Sequence, residues 1–223
     1  MIKGIVFDMD GVLADNHLEQ RAAWKKVVEE AGLGPLTPEQ FNQYAGRRNE
    51  EILAGLSEGK LSKEEIDKFS DEKEAYYRKL ATNSLSPVKG LIEFLNYLKE
   101  KNYRLAIATS APPENVELVL NKFRISDIFA AIFDAKDVVH SKPHPEIYQR
   151  ACQALGYEAW ECFVFEDSRS GIKSAKAAGC RVGTPLTGLS KEEAEEEEPH
   201  IIFEDFTDRR LYQMFDDQNR NEN

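Results

Sequence analysis

Residues 5–15 read Ile-Val-Phe-Asp-Met-Asp-Gly-Val-Leu-Ala-Asp, so that an apolar run ends on two carboxylates, Asp8 and Asp10, followed by Gly11. Strands buried on both faces are nearly continuous apolar runs, and open α/β sheets bind ligands beyond the carboxyl ends of their strands. Two carboxylates this close repel each other unless a cation lies between them. Mg²⁺ is the ion usually held by one or two carboxylates together with substrate phosphates. The stretch therefore predicts a site for a phosphorylated substrate, a divalent metal and a carboxylate nucleophile.

Two other interpretations of this stretch need consideration. A single aspartate after a strand is often a turn or a helix cap. An EF-hand loop also begins Asp-x-Asp, but it needs glycine at its sixth position, whereas Gly11 is fourth. The EF-hand is therefore excluded, and the third carboxylate, Asp15, makes a simple cap a poorer explanation than a binding site.

Composition limits the classes of function. The chain has 223 residues, enough for a large core, and its net charge of −11 argues against binding to nucleic acid or to a membrane surface. The three cysteines, Cys152, Cys162 and Cys180, lack metal-ligand spacing, and a reducing compartment is expected. The first residues are predicted to form a core strand, and no apolar stretch is long enough for a bilayer. We expect a cytoplasmic, monomeric enzyme.

Short apolar runs alternate with helical patterns, which predicts a parallel sheet with helices on both faces. The fold class is therefore α/β, a three-layer Rossmann-like core. Helices are expected around 91–98 and 116–123, from Pro145 to Gly156, and from Gly171 to Gly179. The predicted strands are Lys3–Phe7, Arg104–Ala108, Ala130–Phe133, Cys162–Phe165, Arg181–Gly183 and His200–Phe203.

One stretch interrupts the alternation. Residues 16–84 contain no convincing strand, and Thr37 and Ser62 precede helical patterns as expected caps. We predict an inserted helical cap domain at 16–84 and a catalytic core formed by 1–15 and 85–223, with hinges near Asp15 and 84–90. Such a bundle is well placed to act as a lid over the carboxylates. The acidic run 192–198 is expected to be a solvated face, and 216–223 a frayed tail.

Three further strand ends carry polar residues. Thr109 and Ser110 follow one strand and could bind phosphate with nearby backbone N–H groups, although a helix cap is the commoner explanation. Lys142 lies in a proline-stiffened loop, which would aim its side chain at one point. Glu166 and Asp167 form a second acidic pair, which capping does not explain. Together with Asp8 and Asp10, these residues predict one site at one edge of the sheet.

The ordered set Asp8-Met-Asp10-Gly11-Val, Thr109-Ser110, Lys142-Pro143 and Glu166-Asp167-Ser168 resembles the four motifs of the haloacid dehalogenase superfamily. Over nearly the whole chain it is similar to the β-phosphoglucomutase and phosphoglycolate-phosphatase-like branch, which has a helical cap after the first motif. The resemblance implies Asp8 as nucleophile and Asp10 as general acid and base. It also implies that Thr109 and Lys142 bind the phosphoryl group. Asp8, Asp167 and the Asp10 carbonyl would hold Mg²⁺, with Glu166 assisting through water.

The cap departs from the mutase pattern. Gln20 precedes Arg21-Ala-Ala-Trp24 where the resembling mutases have a histidine, and Asn49 stands where they have a phosphate-gripping arginine. Arg47 or Arg48 could contact an anionic substrate group or could be solvated. We therefore predict a Mg²⁺-dependent phosphatase of a small phosphorylated metabolite, with a sugar-phosphate mutase as the alternative. A catalytically silent or receiver-like module fits less well, because receiver domains lack a cap insertion. His17 and His144 are interpreted as a surface and a loop residue.

Overall fold

The computed structural model describes residues 1–220 and, within them, the side chains of all but positions 38, 42 and 217–220. Within that range, six parallel strands form one sheet in the order β5-β4-β1-β6-β7-β8. The sheet strands are β1 (Gly4–Phe7), β4 (Arg104–Ala108), β5 (Ala131–Phe133), β6 (Cys162–Phe165), β7 (Arg181–Pro185) and β8 (Ile201–Phe203). Each predicted strand is present, which confirms the α/β fold class.

Helices cover both faces of this sheet because consecutive side chains of a strand point to opposite sides. In β1, Ile5 and Phe7 join one apolar cluster and Val6 joins the other. The helices are α5 (Leu91–Glu100), α6 (Pro113–Phe123), α7 (Glu146–Leu155), α8 (Arg169–Ala178), α9 (Lys191–Glu196) and α10 (Arg209–Arg220), with short 3₁₀ turns at Ser126–Ile128 and Ala159–Glu161. The first cluster includes side chains from α5, α6 and α10, and the second includes side chains from α7, α8 and α9.

Residues 17–84 form a helical segment with an apolar cluster of its own. Trp24, Val27 and Leu53 lie in that cluster, with Phe69 packed against it. The helices are α1 (His17–Glu30), α2 (Pro38–Tyr44), α3 (Asn49–Ser57) and α4 (Lys63–Ser84). Thr37 and Ser62 accept hydrogen bonds from backbone N–H groups at the starts of α2 and α4, as predicted. The chain enters and leaves the segment through a short antiparallel pair, β2 (Ala14–Asp15) and β3 (Ser86–Pro87), which was not predicted.

One surface prediction was wrong, and another holds for most of its residues. The tail prediction is wrong for 216–220, because α10 runs to Arg220 and Asp216 accepts a hydrogen bond from the Tyr97 hydroxyl at 3.0 Å; 221–223 lie outside the described residues. Most glutamates of the acidic run 192–198 are exposed, as predicted, but Glu197 is buried and pairs with Arg169 and Lys173. All three cysteines are buried, as expected for small apolar side chains. Among the described helices, none combines the length and the apolar character needed to cross a membrane.

Candidate active site

The central strand β1 lies between β4 and β6, and all three are parallel. Phe7, the last residue of β1, is in register with Ile107 and with Phe165. Because parallel strands end at the same edge, Asp8, Thr109 and the pair 166–167 meet there, as their strand-end positions predict. The structure thus brings together the core residues that sequence patterns singled out.

Lys142 lies between two carboxylates at this edge. Its Nζ donates to Oδ1 of Asp8 at 2.6 Å, to Oε1 of Glu166 at 2.6 Å and to the carbonyl of Ala108 at 3.2 Å. The side chain is 1% exposed. Burial by itself would lower the pKa of Lys142, but the two carboxylates outweigh it and raise the pKa. Lys142 is therefore a buried cation directed at Asp8.

Glu166 is fully buried and accepts four hydrogen bonds. Its Oε1 accepts from Lys142 and, at 2.8 Å, from the Tyr148 hydroxyl. Its Oε2 accepts from the backbone N–H and the hydroxyl of Ser168, at 3.1 and 3.0 Å. An ionised carboxylate offers about four lone-pair sites. Since four donors already occupy Glu166, its geometry suits positioning of Lys142 better than direct contact with a metal.

Asp8, Glu166 and Asp167 are buried and place one oxygen each within 4.8 Å of one another. His17 adds a nitrogen to this cluster, because its Nε2 lies 3.0 Å from Oδ2 of Asp167. The interpretation of His17 as a surface residue is therefore wrong: it begins α1, which returns the chain over the strand ends. The position of His17 just after the crossing at Asp15 was a usable signal.

The charges of this cluster fit a divalent cation. Burial raises the pKa of Asp8 well above its ordinary value, Lys142 opposes this, and the neighbouring carboxylates raise it further. The single positive charge of Lys142 therefore does not balance the negative charges of Asp8 and the acidic groups that surround it. Gly11, at φ +74°, allows the close approach: a Cβ there would lie 2.0 Å from Oδ2 of Asp167. Oxygen donors with spare negative charge are the ligand set that Mg²⁺ prefers.

Asp10 has different neighbours from Asp8. Its Oδ1 accepts a hydrogen bond of 2.5 Å from Nδ2 of Asn16, which also lies 2.6 Å from the Tyr77 hydroxyl. Burial is the main reason that the pKa of Asp10 is raised, against lowering by Asn16 and Lys73. The carboxylate of Asp10 is outside the Asp8–Glu166–Asp167 cluster. Asp10 thus faces the helical segment, in an environment that favours its protonated form.

The two predicted phosphate-binding hydroxyls have different surroundings. Thr109 is buried, and its Oγ1 accepts from the N–H of Ala111 at 3.1 Å, which leaves its proton available. Ser110 donates its proton to the carbonyl of Gly46 at 2.7 Å. Ser110 therefore links the core to the helical segment, a contact that its motif position did not indicate.

The helical segment closes a cavity of about 100 Å³ over these strand ends. Gln20, Arg47 and Asn49 line it, but Arg48 is not among the described lining residues. Arg48 donates instead to the carbonyls of Val138 and Val139 in the core. Sequence reasoning missed the charged lining residues Lys73 and Glu74, because they lie in the middle of α4, where charged residues usually face solvent.

Comparison with known proteins agrees with this architecture. Residues 5–184 match the family described as haloacid dehalogenase-like hydrolase. Validoxylamine A 7'-phosphate phosphatase of Streptomyces hygroscopicus subsp. limoneus is 30% identical over 94% of this chain and 97% of that protein. Phosphorylated carbohydrates phosphatase of Thermotoga maritima is 30% identical over 80% of this chain and 82% of that protein. A β-phosphoglucomutase structure from Clostridium difficile shares the fold, with a TM-score of 0.84 at 23% sequence identity. The match covers 98% of this chain and 99% of that chain.

Proposed function

The chain belongs to the haloacid dehalogenase-like hydrolases, and on that premise we propose that it is a Mg²⁺-dependent phosphatase acting through an aspartyl-phosphate on Asp8. It is a phosphoric monoester hydrolase of this family, and its relatives act on phosphorylated sugars or related metabolites, as their names state. The metal, the covalent intermediate and the residue roles belong to the proposal.

One observation supports the proposal most strongly. Asp8 lies at the base of the cavity with one carboxylate oxygen, Oδ1, bonded to the buried cation Lys142, while Asp10 and Asp167 line the same cavity. Phosphoryl transfer depends on positioning and on neutralising the phosphoryl oxygens. A nucleophile, a cation and a protonatable carboxylate around one small cavity meet those needs.

In the first step, the free oxygen of Asp8 attacks phosphorus and the bond to the leaving-group oxygen breaks. Asp10 donates its proton to that oxygen, so the leaving group departs as an alcohol. Thr109 donates a hydrogen bond to a phosphoryl oxygen, and Lys142 balances the charge of the Asp8 carboxylate. The raised pKa of Asp10 suits a group that must begin as an acid.

In the second step, Asp10 takes a proton from a water molecule, whose oxygen attacks phosphorus. The bond between Asp8 and phosphorus breaks, which releases inorganic phosphate and restores both carboxyl groups. Asp8, Asp167 and the backbone carbonyl of Asp10 would hold Mg²⁺, which supplies positive charge to the phosphoryl oxygens. Glu166, through its bond to Lys142, positions that lysine and adds a negative charge beside the metal site.

We assign residues 16–84 as the cap and 1–15 with 85–223 as the catalytic core. The cap closes the cavity through Gly46 on Ser110 and through Arg48 on the carbonyl of Val138. Gln20, Arg47 and Asn49 are proposed to face the substrate, and Arg48 to secure the closed position instead. A cavity of about 100 Å³ fits a small phosphorylated metabolite.

The mutase alternative gains no support from these contacts. Gln20 accepts from Lys73 at 2.6 Å, and Asn49 donates to Glu74 at 2.6 Å. Neither residue offers a cation for a second phosphate, which a bisphosphate intermediate would require. A catalytically silent module is disfavoured because Asp8, Lys142 and Asp167 keep an arrangement that can react.

The first prediction is that Asp8→Asn abolishes phosphatase activity, since an amide is a poor nucleophile. The measurement is Mg²⁺-dependent release of phosphate from p-nitrophenyl phosphate, with and without a chelator. Asp134→Asn is the matched control, because Asp134 follows β5 and bonds the backbone of Lys136. Residual Mg²⁺-dependent turnover in Asp8→Asn would contradict the proposal. So would a wild-type protein that converts β-glucose 1-phosphate to glucose 6-phosphate faster than it releases phosphate.

A further inference from the structure

The inner wall of the cavity, defined as Gln20, Asn49, Lys73 and Glu74, contains a buried ion pair. Lys73 is 3% exposed and Glu74 is 8% exposed, and Nζ of Lys73 lies 2.8 Å from Oε1 of Glu74. Charged side chains are almost never buried to this degree unless they are paired. This pair faces the substrate cavity, so its partners decide what else it can bind.

Glu74 is held as an anion by three donors. Its Oε1 accepts from Lys73 and Asn49, and its Oε2 accepts from Nδ2 of Asn115 at 2.6 Å. Burial alone would raise the pKa of Glu74, but Lys73 and the two amides outweigh it and lower the pKa. Arg78 donates to Oδ1 of the Asn115 side chain at 3.0 Å and so orients the side-chain amide of Asn115 toward Glu74. These contacts favour the ionised form of the Glu74 carboxylate and hold it in one position.

Lys73, the cation of the described inner wall, is already engaged. Its ammonium group donates to Glu74 and, at 2.6 Å, to Oε1 of Gln20. It also lies over the rings of Trp24 and Tyr77, at 5.4 and 5.6 Å from their centroids. If a substrate carried a second anionic group at this wall, that group would therefore contact a lysine that is already paired and a carboxylate, not a free cation.

The inner wall lies on the leaving-group side of the site. Lys73 lies over the ring of Tyr77, whose hydroxyl is 2.6 Å from the Asn16 amide that bonds Asp10, the proposed proton donor to the leaving oxygen. Arg47 is next to Gly46, which contacts Ser110 beside the proposed phosphoryl-binding Thr109. Of the cationic side chains that line the cavity in the described part of the chain, Arg47 thus follows the turn that contacts the core, and Lys73 is paired in the inner wall.

We propose that Glu74, supported by Lys73, Asn49 and Asn115, selects substrates whose leaving group is uncharged and bears hydroxyls, and rejects those with a second anionic group. Its carboxylate accepts a hydrogen bond from a substrate hydroxyl, and the amide of Gln20 adds a donor. A carboxylate or phosphate in the same place is repelled by the negative charge of Glu74. This inference rests on the proposed function and specifies its substrate class.

The test uses two substrates of almost equal size, 2-hydroxyethyl phosphate and phosphoglycolate, which differ by a hydroxymethyl group in place of a carboxylate. The wild-type protein is expected to favour 2-hydroxyethyl phosphate on the order of tenfold or more in kcat/KM, because repulsion between like charges acts on the second substrate alone. Glu74→Gln should reduce this preference at least about fivefold, and Glu74→Asp, which keeps the charge, should retain it.

Glu72→Gln is the matched control, because Glu72 is on the same helix, is 45% exposed and pairs with Lys68 on the surface. It should keep the wild-type ratio. The inference is overturned if the wild-type protein uses both substrates equally, or if folded Glu74→Gln keeps the wild-type ratio of kcat/KM values. In either case, hydrolysis of p-nitrophenyl phosphate would show that the phosphatase assignment still holds. If no phosphate is released from any of the three substrates, the proposed function fails, and the inference with it.

Discussion

Single residues differ in this site because their neighbours differ, although their positions in the motif are similar. Asp8 and Asp10 are two residues apart, yet Asp8 contacts Lys142 whereas Asp10 contacts Asn16. Burial raises the pKa of both carboxyl groups, but Asp8 has the cation Lys142 in direct contact to oppose this rise, whereas the side chain that bonds Asp10 is the neutral amide of Asn16. One carboxylate is therefore suited to nucleophilic attack and the other to proton transfer.

This difference gives a second prediction. Asp10→Asn should lower turnover by about 10²–10⁴-fold, the usual contribution of general acid–base catalysis. With p-nitrophenyl phosphate, whose leaving group departs without a proton, formation of the phosphoryl-enzyme should persist while its hydrolysis slows. The measurement is a rapid-mixing experiment that looks for a burst of p-nitrophenol in Asp10→Asn. Steady-state rates equal to those of the wild type would remove Asp10 from this role.

At the scale of elements, the cap meets the core through the turn between α2 and α3. Gly46 accepts from Ser110, and the carbonyl of Ala45 accepts from the Ser170 hydroxyl at 2.5 Å. Gly46 has φ +80°, and a Cβ there would lie 2.4 Å from Oγ of Ser168. This turn is therefore packed so closely that a methyl group would push the cap away from the strand ends.

The third prediction is that Gly46→Ala raises KM and lowers kcat/KM by displacing this turn. Gly32→Ala is the matched control, because Gly32 also has a positive φ, +68°, but a Cβ there meets nothing within 4 Å. Both variants should lose about 1–2 kcal/mol from the left-handed backbone strain. Kinetics together with thermal unfolding separate the two effects. If Gly32→Ala impairs kcat/KM as much as Gly46→Ala, strain rather than contact explains the loss.

At the scale of the whole molecule, α10 completes one layer of the sandwich. Phe215 is buried, and its ring packs edge-on against Tyr103 and Phe163 at centroid distances of 5.4 and 5.5 Å. The hydroxyl of Tyr103 donates to the backbone carbonyl of Phe215 at 3.1 Å. The part of α10 that precedes the predicted tail thus covers the sheet that positions Asp8.

The fourth prediction concerns this layer. Phe215→Ala should lower the free energy of unfolding by about 3–5 kcal/mol, the usual cost of removing a buried aromatic ring. Gln213→Ala, an exposed position on the same helix, should change it by less than about 0.5 kcal/mol. Chemical denaturation followed by circular dichroism measures both values. Similar stabilities for the two variants would mean that α10 is not part of the cooperative core.

The sequence by itself determined the α/β core and the residues at its active edge. Apolar runs that end on Asp8, Thr109 and Glu166 predict that these side chains meet, because parallel strands place their carboxyl ends together. The helical segment was also predictable, since its periodicity and the caps Thr37 and Ser62 are local signals. Local patterns and the rules of parallel sheets were sufficient for these features.

Only the tertiary structure decided which polar groups meet across the cap and the core. His17 reaches Asp167 across 150 positions in the chain, and Asn115 reaches Glu74 across 41. No local pattern encodes such pairs, because they depend on how the bundle packs on the sheet. The physical reason is that strand order follows from backbone hydrogen bonding, whereas contacts between the two units follow from side-chain packing over long distances. The proposed chemistry therefore rests on the motifs, and the proposed substrate selectivity rests on the packing.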